Sequence, residues 1–247
     1  MPIAPDFQSV FSRDWEINFM QCTPNGFLRY TELCNLLQLT AAAHSESGGF
    51  SFVDMQAFDQ AWVLSRMRLE ISKLPKWKDV ITIKTWINSL ENSRSVRAME
   101  VTVNGEKYVG AETFWAVFNT KTRRPEGMAL AHEHCEKYPD ERATLLPFSK
   151  IDIDRNNELV FERKVVLSDL DIVNHVNNVK YLEWCLDLVD DNEILNQRIS
   201  SFEMNFLKEL SLNDWVQIHT IKKDNKTVFS ITKDDKAVFA LELETNY

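Results

Sequence analysis

The sequence is poor in the residues that break and loosen a chain. Glycine occurs 6 times and proline 7 times in 247 residues. That is too little for a glycine-rich phosphate cradle or a loop-heavy architecture. Positive charge is the minority sign: 28 Lys+Arg against 37 Asp+Glu leave a net charge of −9. A chain this acidic lacks the basic face that phosphate neutralisation needs, so general nucleic-acid binding is excluded. No run approaches the length of about 18 apolar residues that spans a bilayer, so no membrane span is expected. The start, MPIAPDFQSVF, shows no basic segment ahead of an apolar stretch, and it is unlike an Arg/Ser-rich transit peptide; no leader is expected. Cys22, Cys34, Cys135 and Cys185 show no CxxC pairing and no metal-ligand spacing. They read as reduced thiols of a cytosolic protein. No GxSxG elbow occurs, so a serine hydrolase lacks its motif.

What is present is ordinary globular material, 44% hydrophobic and 26% charged, enough for a substantial core. Two segments carry helical spacing. The first runs from about Leu28 to Ser45, with Leu33, Leu36, Leu37 and Ala41 on one face. The second runs from about Asn177 to Asp190, with Val179, Leu182, Leu186 and Val189, and closes in Asp190-Asp191-Asn192. The other patterned stretches alternate with period two and are β-branched or aromatic: Val80–Trp86, Arg97–Val103, Glu112–Asn119, Leu159–Leu167, Phe202–Leu207, Trp215–Ile221, Thr227–Thr232 and Ala237–Glu244. Such strands suit an antiparallel sheet with one buried face. Asn104-Gly105 and Asp224-Asn225 read as hairpin turns.

The order of elements repeats: strand, helix, several long strands, then the same again. The expected division is 1–121, a linker at 122–156 with Pro125, Pro139 and Pro147, and 157–247. Residues 74–85 can be laid on residues 209–220, so that Asp79/Asp214, Ile83/Ile218 and Thr85/Thr220 coincide. Each half predicts one long helix wrapped by an antiparallel sheet, an α+β unit whose apolar face needs a second copy. Duplication supplies in one chain what a homodimer would otherwise supply. Both a monomer and a homodimer of the duplicated chain remain open.

The densest polar cluster before a helix is Ser168-Asp169-Leu170-Asp171-Ile172-Val173-Asn174-His175-Val176-Asn177-Asn178. Its Asp and Asn residues can cap the helix. Its free backbone N–H groups and the helix dipole favour negative charge, which also suits an oxyanion in acyl transfer. Glu209 follows the apolar strand FEMNFL, at its far end, where either face is open to it. In the repeat, Leu74 stands where Glu209 stands; an approximate overlay of the helix starts sets Cys22 against Asp171 and Gly26 against His175. The chemical residues are absent from the first half, as expected if one half keeps catalysis and the other binds. His44, His132 and His134 read as solvent-exposed, and HxH followed by Cys135 is too thin for a metal site. Cys185 reads as a small core residue.

DLDIVNHVNNVKYLEW, WVLSRMRLEISKLPKWKDVITIKTW and ETFWAVFNTKTRRP together resemble the acyl–acyl carrier protein thioesterases of plants and bacteria, over nearly the whole chain. The resemblance implies a tandem hotdog fold and hydrolysis of fatty acyl–acyl carrier protein in lipid metabolism, without metal or organic cofactor, here in a bacterial cytoplasm. It implies a catalytic set of Asp171, His175 and Glu209. In plant members a Cys follows that Glu; here Leu210 does, which excludes a thiol nucleophile at that point. The family's Asn two residues after the Asp is Val173 here, and Asn174 one place later is the candidate substitute. The acyl chain is expected under the first helix, against Leu33, Leu37 and Ala41 with Trp62 and Met67; ordinary core burial explains the same residues. An acidic carrier protein would need a local basic patch, and Arg66/Arg68, Lys73/Lys76/Lys78 and Lys121/Arg123/Arg124 are the available clusters. Two other activities fit a hotdog: non-catalytic binding of acyl thioesters, and dehydration of 3-hydroxyacyl thioesters.

Overall fold

A computed structural model describes residues 3–153 and 157–246. Residues 154–156 of the expected linker, and the outermost residues of the two expected halves, lie outside them. The chain forms two compact units. The first comprises Met1–Ser65 and Ser72–Pro147, the second Arg66–Ile71 and Phe148–Tyr247.

In the first unit, strand β1 (Val10–Glu16) leads to the long helix α1 (Tyr30–Ser47) and a short helix α2 (Phe52–Gln56). Strands β2 (Gln60–Ile71), β3 (Val80–Glu91), β4 (Arg94–Val103), β5 (Glu106–Asn119) and β6 (Arg124–Pro125) follow, with the last six residues of β2 belonging to the second unit. The sheet runs β1-β3-β4-β5 with β6 on β5, and every pair is antiparallel. Helix α1 lies on β1 and β3. Its face of Leu33, Leu36, Leu37 and Ala41 is buried, as its spacing predicted. Strand β1 and α2 carry weak patterns and were not expected at these bounds; β1 exposes much of its length at the sheet edge.

The second unit repeats the plan. Strand β7 (Glu158–Lys164) precedes helix α3 (Asn178–Leu186), the short helix α4 (Asp191–Leu195) and strands β8 (Ile199–Phe206), β9 (Trp215–Lys223), β10 (Lys226–Lys233) and β11 (Lys236–Thr245). Arg66–Glu70 of β2 pair with β8, and the order continues β11-β10-β9-β7, all antiparallel. Helix α3 lies on β11. It is shorter than its pattern suggested. The polar stretch that seemed to close it restarts a helix instead: the Asp190 carboxylate accepts from the Asn192 N–H at 2.8 Å and caps α4. Leu167 lies beyond β7, in a 3₁₀ turn.

Turns follow backbone chemistry. Asn104 and Gly105, between β4 and β5, have φ of 50° and 81°, as a two-residue hairpin of the favoured hand requires. Asp234 and Asp235 do the same at 50° and 57° between β10 and β11, a turn the sequence pattern did not reveal.

Residues 122–147 do not behave as a free linker. Arg142 donates two hydrogen bonds to the Glu112 carboxylate, at 3.1 and 2.7 Å. Tyr138 N–H donates to the Ile87 carbonyl, and the Trp86 indole to that of Glu141. Gly110 leaves room for the Ala143 carbonyl, which a Cβ there would strike. Cys135 is fully buried with Phe50, Ile87 and Leu90.

Candidate active site

The turn before α3 is built by Asp171. One of its carboxylate oxygens accepts from the Val173 N–H at 3.0 Å and the His175 N–H at 3.2 Å. The Asp171 N–H donates to the His175 carbonyl at 2.8 Å, and the Asn174 N–H donates to the Asp171 carbonyl at 3.1 Å. Asn174 sits at φ 65°, a left-handed conformation that Asn tolerates better than most residues. Its side chain is exposed. Leu170 and Val176 close the turn as a β-bridge, and the Asn177 side chain caps α3 by accepting from the Val179 N–H.

A second segment is tied beside this turn. The Val176 N–H donates to the Leu210 carbonyl at 3.0 Å. That bond sets Glu209, just past β8, next to His175, with His175 Nε2 and Glu209 Oε2 3.4 Å apart. Both side chains are about one-third exposed, at 31% and 32%, so solvent reaches the pair. Asp171, His175 and Glu209 thus come together. Below them, buried Asp169 accepts from the Val166 N–H and pairs with Arg163, whose guanidinium lies over the Trp184 ring.

Each amide from Val173 to Asn177 already has an acceptor: Asp171 for the first three, then Leu210 and Asp169. These five N–H groups are therefore not the oxyanion donors expected of the turn. The start of α3 at Asn178 and side-chain donors remain for that task.

The expected overlay of the two helix starts is off by one. Thr23, not Cys22, takes the place of Asp171, since the Thr23 N–H donates to the Phe27 carbonyl at 2.8 Å as Asp171 does to His175. Phe27 takes the place of His175, and Gly26, at φ 83°, that of Asn174. Cys22 and Leu28 form the bridge corresponding to Leu170 and Val176. The pairing of Leu74 with Glu209 holds, because the Leu28 N–H donates to Pro75 as the Val176 N–H does to Leu210.

The candidate acyl-binding residues separate. Leu33, Leu37 and Ala41 share the buried face of α1. Trp62 donates its indole N–H to the Phe50 carbonyl. Met67 lies in the second unit, opposite Met204.

His44 is not exposed. It is fully buried between the rings of Phe7 and Phe11, bonded to the Gln8 carbonyl and to Arg97. Burial and the Arg97 charge push it down to about 3. His132 and His134 are half-buried and bond to the carbonyls of Leu130 and Gly48. Among the described residues no group of three His, Cys, Asp or Glu is arranged to hold a metal ion. Cys185 is fully buried, as expected.

The family model for the acyl-ACP thioesterase N-terminal domain matches residues 8–138, and that for the C-terminal domain residues 152–244. The chain belongs to the acyl-ACP thioesterase family. An acyl-ACP thioesterase from Bacteroides thetaiotaomicron superposes with a TM-score of 0.89 at 25% identity, over 96% of this chain and 98% of that one. The 12:0-ACP thioesterase from Umbellularia californica gives 0.81 at 22%, over 97% and 98%. The fold is thus the tandem hotdog of this family. The oleoyl-acyl carrier protein thioesterase 1 of Arabidopsis thaliana, a chloroplast protein, is 28% identical over 203 residues, 74% of this chain and 56% of its own. The chain spans about half the length of such plant relatives. Among the described residues no helix is long and apolar enough to cross a membrane.

Proposed function

We propose that the chain hydrolyses the thioester of a fatty acyl–acyl carrier protein, releasing the free fatty acid and the carrier's phosphopantetheine thiol. The observation that carries this is the His175–Glu209 pair at 3.4 Å, held beside the Asp171 turn at the start of α3. Glu209 takes a proton from water as its oxygen attacks the thioester carbonyl carbon. The tetrahedral intermediate collapses by breaking the C–S bond. The proton passes through His175 to the departing thiolate. General acid–base assistance of this kind is worth about 10² to 10⁴ in rate. Asp171 holds the turn that carries His175, and Asn174 sets that turn's left-handed residue.

No resident metal or organic cofactor enters this scheme. We assign catalysis to the later half, whose 157–247 holds all four of these residues. Acyl-chain binding falls to the first unit of the earlier half, 1–121, through Leu33, Leu37, Ala41 and Trp62; Met67 belongs to the second unit and is left out of this site. Cys22, Cys34, Cys135 and Cys185 are all buried free thiols, which fits a reducing cytoplasm.

Release of thiol from acyl carrier protein esters of graded length, followed with a thiol-reactive dye, tests this, with Glu209→Ala and Asp171→Asn as controls. Turnover by the wild type and its loss in Glu209→Ala is the expected result. Binding without thiol release would make the chain an acyl-thioester carrier; enoyl product without thiol would make it a dehydratase. Docking of the acidic carrier is assigned to Lys121, Arg123 and Arg124. Reversing the charge of Arg123 and Arg124 raises KM for the protein-bound ester and leaves it unchanged for a small pantetheine thioester; equal effects on both refute that patch.

A further inference from the structure

Strand β7 ends the strand order of the second unit, and among the described residues no strand pairs with its outer edge. Its inner edge belongs to β9. The Val165 N–H donates to the Asp214 carbonyl at 2.8 Å, and the Val165 carbonyl accepts from the Asn213 N–H at 3.1 Å. Backbone groups alternate sides along a strand, so those of Arg163 also face β9, and those of Glu162 and Lys164 face away from it. An open edge of this kind invites pairing with another chain, and natural proteins usually blunt it with charge or cover it. Here it is flanked by bare apolar side chains. Leu159, Val160 and Phe161 are 39–49% exposed before it, and Val166 and Leu167 45% and 75% exposed after it.

The segment is complementary to itself. Leu159-Val160-Phe161-Glu162-Arg163-Lys164-Val165-Val166-Leu167 reads alike in type from either end about Arg163, except that the two charges beside Arg163 have opposite sign. Two copies laid antiparallel about a two-fold axis at Arg163 set Glu162 of each opposite Lys164 of the other. These are the residues whose backbone groups point outward, so they also exchange the backbone hydrogen bonds. Beyond them Phe161 meets Val165, Val160 meets Val166 and Leu159 meets Leu167. Cross-strand pairs of opposite charge and of apolar side chains are the ones that stabilise a sheet. Among the described residues Lys164 forms no ion pair, and the Glu162 carboxylate accepts from the neutral Gln217 amide. The two Arg163 side chains at the axis are each neutralised by their own Asp169. The irregular register between Leu159 and Phe161 lies outside the Glu162–Lys164 centre, so it limits the length of the backbone pairing and leaves its middle regular.

The corresponding edge of the first half lacks this match. With Thr23 in the place of Asp171, Trp15 of β1 takes the place of Arg163, and Asp14 and Glu16 those of Glu162 and Lys164. The same pairing there would set Asp14 against Glu16, like charge against like. Helix α1 also covers that strand: the Phe11 ring stacks on His44, and the Trp15 indole donates to Thr40 at 2.9 Å. Helix α3 has 9 residues to the 18 of α1, and Leu159, Val160 and Phe161 stay exposed. We infer that the protein forms a two-fold homodimer by antiparallel pairing of β7 with β7 of a second copy, centred on Arg163. Each copy carries a net charge of −9, so two copies repel at long range. The contact has to bring its own opposite charges, and Glu162 and Lys164 do so. The inference is independent of the proposed hydrolysis.

Sedimentation equilibrium of the full chain from about 1 μM to about 1 mM reads the oligomeric state, with a dimer of twice 28.8 kDa expected. Lys164→Glu and Glu162→Lys each set like charges together on both sides of the axis, and each raises the dissociation constant about tenfold or more. Combining the two exchanges the signs, restores the match and restores the wild-type dissociation constant. Asp14→Lys, on the corresponding edge of the first half, leaves it unchanged. Hydrogen exchange of the wild type needs no substitution. The amides of Glu162 and Lys164 exchange more slowly at high concentration than at low, while that of Arg163, which faces β9, does not change. A wild type that stays monomeric throughout, or Glu162 and Lys164 amides that exchange alike at both concentrations, overturns the inference and leaves the edge to a different partner. A dimer that Lys164→Glu leaves intact, or a double variant no tighter than either single one, overturns it by placing the contact elsewhere.

Discussion

Two turns of the same design stand at the starts of α1 and α3. In one, the Ile17 N–H donates to the Asp79 carbonyl at 2.9 Å; in the other, Val165 does so to Asp214 at 2.8 Å. The Lys76 N–H is held by the Asp79 carboxylate, the Ser211 N–H by that of Asp214. Lys78 and Asn213 both adopt positive φ, 72° and 71°. With the backbone shared, only side chains distinguish the two. Thr23, Phe27 and Leu74 line the first turn where Asp171, His175 and Glu209 line the second. The scaffold thus owes nothing to the chemistry, since it survives complete where the chemical groups are absent. Asp171, His175 and Glu209 stand on a turn that the fold makes anyway.

The largest expected contrast is catalytic. His175→Ala lowers turnover of an acyl thioester about 10²- to 10⁴-fold, whereas Phe27→Ala at the corresponding place leaves kcat per folded molecule within a few-fold. A comparable fall in both would show that the first turn also takes part in the chemistry.

The next contrast concerns buried charge in the second half. Glu203 on β8 is 3% exposed. Burial pushes its carboxyl up to about 7, against the opposing pull of the Ser149 N–H and Arg68. The folded state thus holds a proton that the unfolded state releases near its ordinary value of about 4.3. Stability from this group is complete at low pH and declines as pH rises through about 7. Thermal denaturation of Glu203→Gln against wild type between pH 5 and 8 reads it. The variant lacks this decline, and the difference between the two grows by on the order of 2 kcal/mol across the range. Parallel curves would mean that Arg68 keeps Glu203 ionised throughout.

The smallest contrast is conformational. Gly26 and Asn174 hold the same left-handed position, and a Cβ at Gly26 meets nothing within 4 Å. Gly26→Asn is therefore expected to change stability by under about 1 kcal/mol, and Gly26→Val to cost more. Denaturant titration of the pair checks this. An Asn variant as unstable as the Val variant would refute the shared turn conformation.

Periodicity exposed α1 and most of the strands, because one face of each is buried and leaves a regular apolar stripe. It missed β1, an edge strand with little to bury, the strand β2 at Gln60–Ile71, and α2 and α4, which are five residues each. It took residues 122–156 for a linker on their prolines and charges, whereas within that stretch Arg142, Tyr138 and Cys135 are fastened to the first unit. The polar run 168–178 marked the turn. The overlay of the two halves slipped by one residue there, since a short loop has no period to fix its register.

The amino-acid order alone settled that the chain is duplicated, that each copy pairs a helix with antiparallel strands, and that Asp171, His175 and Glu209 in the later copy have no like residues in the earlier one. Those are properties of spacing and residue type, local along the chain. Whether Glu209 faces His175 was decided only in three dimensions, by the Val176–Leu210 hydrogen bond between residues far apart in sequence. The same is true of the fate of the turn's amides, which Asp171, Leu210 and Asp169 occupy, and of the burial of His44 between two phenylalanines. Each depends on which groups meet after folding, and no periodicity records that.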